Sequence, residues 1–75
     1  MDILTYLDTK QLTRSAFASS LGVSPGLVYQ WLNGLRPIAP GQCVAIERLT
    51  QGAITRRDLR SDWREIWPEL AEEKV

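Results

Sequence analysis

The sequence has no histidine and a single cysteine among its 75 residues. Without His, with one thiol and with no carboxylates paired as an acid and a base, it lacks both a soft-ligand set for a metal and the side chains of common hydrolytic sites. Neither an enzyme, a metal nor a cofactor is expected. The lone Cys43 permits no internal disulfide and fits a reduced, cytoplasmic setting. No apolar run approaches the ~20 residues that a membrane helix needs. The start, MDILTYLDTK, lacks the basic n-region of a signal peptide and carries Asp2 and Asp8 instead.

Acidic side chains are also missing from a long stretch. Nine basic and nine acidic residues give a net charge of zero, yet no acid falls between Thr9 and Ile46. Residues 1–60 hold seven basic and four acidic side chains, a balance of +3, and residues 61–75 hold two against five, a balance of −3. For a charged partner the distribution matters more than the total. The body can face phosphate while the acidic end sits away from it. The composition, 44% hydrophobic and 24% charged, is that of a globular domain. A chain this short buries only about 60% of its unfolded surface, so pairing with a second copy would add stability.

Asp2 suits an N-cap, and Ile3, Leu4 and Leu7 recur at helical spacing, which predicts a first helix from Asp2 to about Leu7 and a polar break at Thr9-Lys10-Gln11. Thr13 caps a second helix to about Ser20, with Leu12 as a staple and Ala16, Phe17 and Leu21 as a buried stripe. Gly22 can take positive φ at its end. Ser24 caps a third helix, Pro25 takes N1, and Leu27, Val28, Trp31 and Leu32 form the apolar set before Asn33-Gly34. After a connector from Leu35 to Ala39, Pro40 opens a fourth helix with Val44, Ala45, Ile46 and Leu49 inward and Gly52 as its stop. Thr55-Arg56-Arg57-Asp58 resembles a capping box and predicts a short fifth helix to about Arg60, although Ala53-Ile54-Thr55 also suits a strand. Ser61 can cap a last turn or two, in which Trp63, Ile66, Trp67 and Leu70 fall at i, i+3, i+4 and i+7, with Pro68 limiting or kinking the helix. The fold expected is all-α: a compact bundle of about five short helices containing a helix-turn-helix over residues 1–60, then a short, acidic, Trp-containing helical tail over 61–75.

The stretch RSAFASSLGVSPGLVYQWLN, Arg14 to Asn33, carries the most information. Ala18 is small where two helices must cross closely, and Gly22 has no Cβ to strain a tight turn. Val28 and Trp31 are bulky where the second helix must anchor on the first. These four form the core of a helix-turn-helix, a motif that lays its second helix in the major groove of DNA. The face left outside carries Ser24, Gly26, Tyr29, Gln30 and Asn33. Gln30 can donate and accept at once, which matches adenine N6 and N7. Tyr29 can meet a base, a thymine methyl or, through its hydroxyl, a phosphate. Ser24 offers a hydroxyl beside Gly26 at the helix start. Pro25 and Gly26 bring no polar side chain, so base readout is narrow and shape or backbone contact carries more. Thr13, Arg14 and Ser15 stand at the positive end of the second helix, and Asn33 and Arg36 on the other flank; these five are the phosphate candidates. So few cations predict a shallow salt dependence, about −0.9 in log–log slope per neutralised phosphate. Cys43 reads as a small buried apolar residue, and Arg56, Arg57 and Arg60 as solvated or paired with Asp58.

The segments SLGVSPGLVYQWLNGLRPI and CVAIERLTQGAITRRDLRSDW together resemble the phage Cro and YdaS-like helix-turn-helix regulators. The shared pattern is GVS-x-x-x-V-x-x-W, an A-I-E helix, a Gly and a T-R-x-x-L-R close, over about residues 1–62. Where the family often has LRPD, this chain has Leu59-Arg60-Ser61-Asp62, which leaves the start of the final segment free to be helical. The resemblance implies a mostly helical repressor that binds operator DNA, usually as a dimer, from a prophage or its bacterial host. It implies Ser24, Gly26, Tyr29 and Gln30 toward the bases and Arg14 and Asn33 toward phosphate. Some members act as antitoxin-like regulators.

The function expected is a DNA-binding transcriptional regulator of Cro type, a homodimer on double-stranded operator DNA with its reading helices about 34 Å apart on a palindrome. The second reading is a protein-interaction or antitoxin-like adaptor built on Trp63, Ile66 and Trp67, with DNA binding secondary. That face, continued by Leu70, is more apolar than a solvated acidic end should show; it either folds back on the body or forms a dimer contact. No membrane or small-molecule partner is expected.

Overall fold

The computed structural model describes residues 1–72. Glu73, Lys74 and Val75, the end of the expected tail, lie outside the described residues. Helices follow one another along the chain: α1 (Ile3–Lys10), α2 (Arg14–Leu21), α3 (Pro25–Leu32), α4 (Pro40–Leu49), α5 (Arg56–Leu59), α6 (Trp63–Ile66) and α7 (Pro68–Glu72). The fold is all-α, and the described residues include no strand; Ala53-Ile54-Thr55 leads into α5 as irregular chain. No helix among the described residues is long and apolar enough to cross a membrane.

The first three helices start at polar caps. Asp2 Oδ1 accepts the Thr5 N–H at 2.8 Å, Thr13 Oγ1 that of Ala16 at 3.0 Å, and Ser24 Oγ that of Leu27 at 3.2 Å. Each satisfies one of the amide donors that a helix start leaves open. Thr55 and Asp58 form a reciprocal capping box on α5. Helix ends are equally regular. Leu12, Val23, Leu35 and Gly52 each donate an N–H to the carbonyl five residues back, on Leu7, Ala18, Gln30 and Glu47, at 2.9–3.0 Å. These are Schellman closures, made possible by left-handed residues just before or at each bond. Lys10 and Thr9 are helical, so the predicted polar break after Leu7 narrows to Gln11, the residue that turns left-handed (φ 56°).

One core gathers the inner faces of these elements. It holds Ile3 and Leu7 from α1, Phe17 and Ala18 from α2, Val28 and Trp31 from α3, Ile38 from the connector, Cys43 and Ile46 from α4, and Ile54, Trp67 and Leu70 beyond. Several predicted core positions face out instead. Leu4 is 64% exposed, Ala16 is exposed, and Leu49 is 39% exposed. In α1 the partners cover the Ile3/Leu7 edge of the apolar stripe and stop short of Leu4; in α2 the crossing helix meets Ala18 and leaves Ala16 in water. In α4 Cys43 and Ile46 take the inward row. Burial pushes the Cys43 thiol up to about 11, which keeps it protonated.

The tail is not the single helix that its spacing suggested. Trp67, at φ −128° and ψ 70°, ends α6, and Pro68 opens α7. Asp62, not Ser61, occupies the N-cap position, and it makes no side-chain cap bond. Trp67 and Leu70 turn into the core, while Trp63 and Ile66 are half-buried against it. The arginines of the α5 region hold this arrangement. Arg56 lies over the Trp67 ring at 5.3 Å and pairs with Glu47, Nε to Oε1 at 2.6 Å. Arg57 donates from Nη2 to the Leu70 carbonyl at 2.8 Å and covers Trp63 at 4.6 Å. Arg60 forks onto both Asp62 oxygens at 2.9 and 3.1 Å and donates from Nη1 to the Ile38 carbonyl at 2.7 Å. Sequence set the three as solvated or paired with Asp58; none of them pairs with it. That carboxylate is taken by the Thr55 N–H, as its capping-box partner, and by the terminal amine of Met1 at 2.8 Å.

Candidate nucleic-acid interface

Helix α2 packs chiefly on α3. The two cross where Ala18 and Val28 meet the core with no exposed surface, and Trp31 closes the far end at 8% exposure. Gly22 makes the turn between them. Its φ is 77°, its N–H bonds to Ser19 O at 3.2 Å, and a Cβ there would meet nothing within 4 Å. Conformation alone, not space, calls for glycine at this point.

Burying Val28 and Trp31 turns the opposite face of α3 outward. Ser24, Gly26 and Tyr29 are exposed on it, whereas Gln30 is half-buried. At the helix start Pro25 has no N–H, Leu27 N–H is bound by Ser24 Oγ, and Val28 N–H reaches Ser24 O. The Gly26 N–H is then left without a partner among the described residues, under no side chain of its own. Asn33 caps the other end; its Nδ2 donates to Tyr29 O at 2.8 Å, which leaves the Asn33 amide oxygen for other work.

Thr13, Arg14 and Ser15 stand exposed at the start of α2. The structure brings Arg14 to the α3 face: its guanidinium lies 5.4 Å over the Tyr29 ring. Arg36 is exposed on the connector. Neither cation has an ion-pair partner among the described residues. The carboxylates held below their usual range lie elsewhere, at Asp2, Asp58 and Asp62. The Arg14–Tyr29 contact escaped the sequence, because nothing in the local spacing of either helix tells how the other crosses it. So did the clamping roles of Arg56, Arg57 and Arg60, whose partners are chiefly rings and carbonyls.

Two short helices crossing at an alanine, a left-handed glycine between them and a second helix with its polar face outside define a helix-turn-helix protein. The family described as "Bacterial toxin YdaS" matches residues 13–66, from the cap of α2 to the end of α6, and this chain belongs to that family. The chain is also 47% identical over 49 residues to the "Putative transcriptional regulator YdaS" of Escherichia coli (strain K12); the match covers 65% of this chain and 50% of that protein. It thus spans about half the length of the curated relative it matches.

Proposed function

We propose that this chain is a sequence-specific DNA-binding transcriptional regulator that seats α3 in the major groove of double-stranded DNA. The observation that carries the reading is the outward row of α3 bordered by Arg14, within a stretch of sequence that has no acidic residue from Thr9 to Ile46. Tyr29 and Gln30, with Ser24 and Gly26, meet base edges; Thr13, Arg14, Ser15, Asn33 and Arg36 meet phosphate. Kinship with a protein named as a transcriptional regulator supports it. Repression by occupancy of a palindromic operator, by a homodimer with half-sites about 34 Å apart, is the mode that suits a small helix-turn-helix domain. The adaptor reading has less behind it, because Trp67 is spent inside the chain and Trp63 is covered by Arg57 and Arg64.

In vitro selection of DNA by the purified chain, read at two salt concentrations, tests the proposal. The expected result is an enriched site with two related halves, bound more weakly as salt rises and lost in the Gln30→Ala, Arg14→Ala double variant. A pool that stays random at low salt would sink it.

A further inference from the structure

We infer that Arg14 is a positioning residue for Tyr29: one face of its guanidinium sets the ring of a base-reading side chain while its N–H edge holds the neighbouring phosphate. The inference rests on the DNA-binding reading and deepens it. Arg14 opens α2 and Tyr29 lies midway along α3, so only the crossing of the two helices brings them together. The separation of 5.4 Å is within the ~6 Å over which a cation is drawn to a ring face. Asp8 lines the same cleft as Arg14 but makes no ion pair with it, so among the described residues the ring is the partner that the structure gives Arg14. Stacking does not spend the group. The five N–H donors of a guanidinium lie in its plane and point outward when its face is covered.

Tyr29 gains in the same contact. Tyr29 is 48% exposed, its hydroxyl makes no hydrogen bond among the described residues, and its carbonyl is already held by Asn33. The cation above the ring removes freedom that a solvent-exposed aromatic would otherwise lose on binding. Phosphate clamp and base reader then form one unit. Anchoring Arg14 on the backbone fixes where Tyr29 points, and a base that suits Tyr29 returns Arg14 to its phosphate.

Wild type, Arg14→Ala, Tyr29→Leu and the double variant are titrated on the selected site and on its single-base variants at two salt concentrations. The expectation is that Arg14→Ala relaxes base preference at the same half-site position as Tyr29→Leu. The double variant should lose less than the product of the single losses, by about two- to five-fold. Arg14→Lys, which keeps the charge without the planar face, should restore the salt slope and not the base preference. Equal weakening on every sequence by Arg14→Ala, or losses that simply multiply, would overturn the positioning role and leave DNA binding standing. A wild type that selects no DNA overturns both. Without DNA, the Arg14 Hδ protons should carry a ring-current shift in the NMR spectrum that Tyr29→Leu removes; random-coil positions in the wild type would overturn the stack.

Discussion

Thr50 shows how much one hydroxyl can hold. It is the buried polar side chain at the end of α4, donating to Ile46 O at 2.9 Å and accepting from Ile54 N–H at 3.1 Å. It joins the helix to the turn that carries Ile54 into the core. Thr50→Val keeps the shape and strands a buried N–H, so denaturant melts should show a loss of about 1–3 kcal/mol, most of it restored by Thr50→Ser. Arg60 makes a different kind of join, because its bond to Ile38 O depends on Asp62 to hold the guanidinium in place. Hydrogen bonds from Arg60 keep the Asp62 carboxyl below its ordinary 3.8. Asp58 moves the same way: burial raises it, and the bonds from the Met1 amine and Thr55 outweigh that. The unfolded chain therefore takes up protons first as acid is added. The contribution of these groups is present above pH 3.8 and is lost as pH falls through the lower folded values. Asp62→Asn should flatten the acid limb of stability against pH; an unchanged limb would show that the fork contributes nothing there.

Among the helices, the glycines divide by conformation. Gly22 is left-handed, and with open space around it Gly22→Ala should cost about 1–2 kcal/mol from the backbone alone. Gly26 and Gly41, each the second residue of a helix after a proline, are not left-handed, and a Cβ on either fits. Gly26→Ala and Gly41→Ala should each add about 0.5–1 kcal/mol to thermal stability. For Gly26 that gain should come with weaker DNA binding, since a methyl would stand over its unpartnered N–H where the backbone meets the groove; Gly41→Ala is the control that should leave binding unchanged. The caps at Asp2, Thr13, Ser24 and Thr55 were legible in the sequence because a cap is a contact over three residues. The left-handed turn at Gly22 and the buried Ala18, Val28 and Trp31 were legible for a like reason: a short motif leaves few ways to cross. Leu4 and Ala16 were misplaced because periodicity marks an apolar stripe but not how far a neighbour covers it. The Trp63-to-Leu70 spacing was read as one face of one helix; Trp67 leaves helical geometry ahead of Pro68, and the four side chains divide between core and edge. Gln30, the base reader that best matches adenine in the sequence, is half-buried, which its spacing along α3 did not tell.

At the scale of the molecule, the acidic end is tied to the body. Three arginines that sequence alone set in solvent or beside Asp58 are engaged with Trp67, Trp63, Leu70, Glu47, Asp62 and Ile38. Through Trp67 and Leu70 the tail shares one core with the helices before it. Trp67→Ala should cost about 3–5 kcal/mol, a large part of the 5–15 kcal/mol that such a domain has in all. Urea unfolding followed by circular dichroism measures it, and a loss under 1 kcal/mol would make the docked tail dispensable. The same commitment reduces the cations that can reach DNA, leaving Lys10, Arg14, Arg36 and Arg48 of the basic residues in the first sixty.

The Schellman closures carry a consequence in time. Each joins residues five apart, so α1 to α4 are delimited by bonds that form without any distant partner. Contacts of this kind assemble within microseconds to milliseconds. The tail has no such advantage: the Arg57–Leu70 and Arg60–Ile38 bonds close loops across most of the second half of the chain. Assembly then runs from the helix-turn-helix end toward the acidic end, and opening runs in reverse. The last piece to seat is the first that can lift, so the reading surface keeps its shape through excursions that briefly uncover the core behind it.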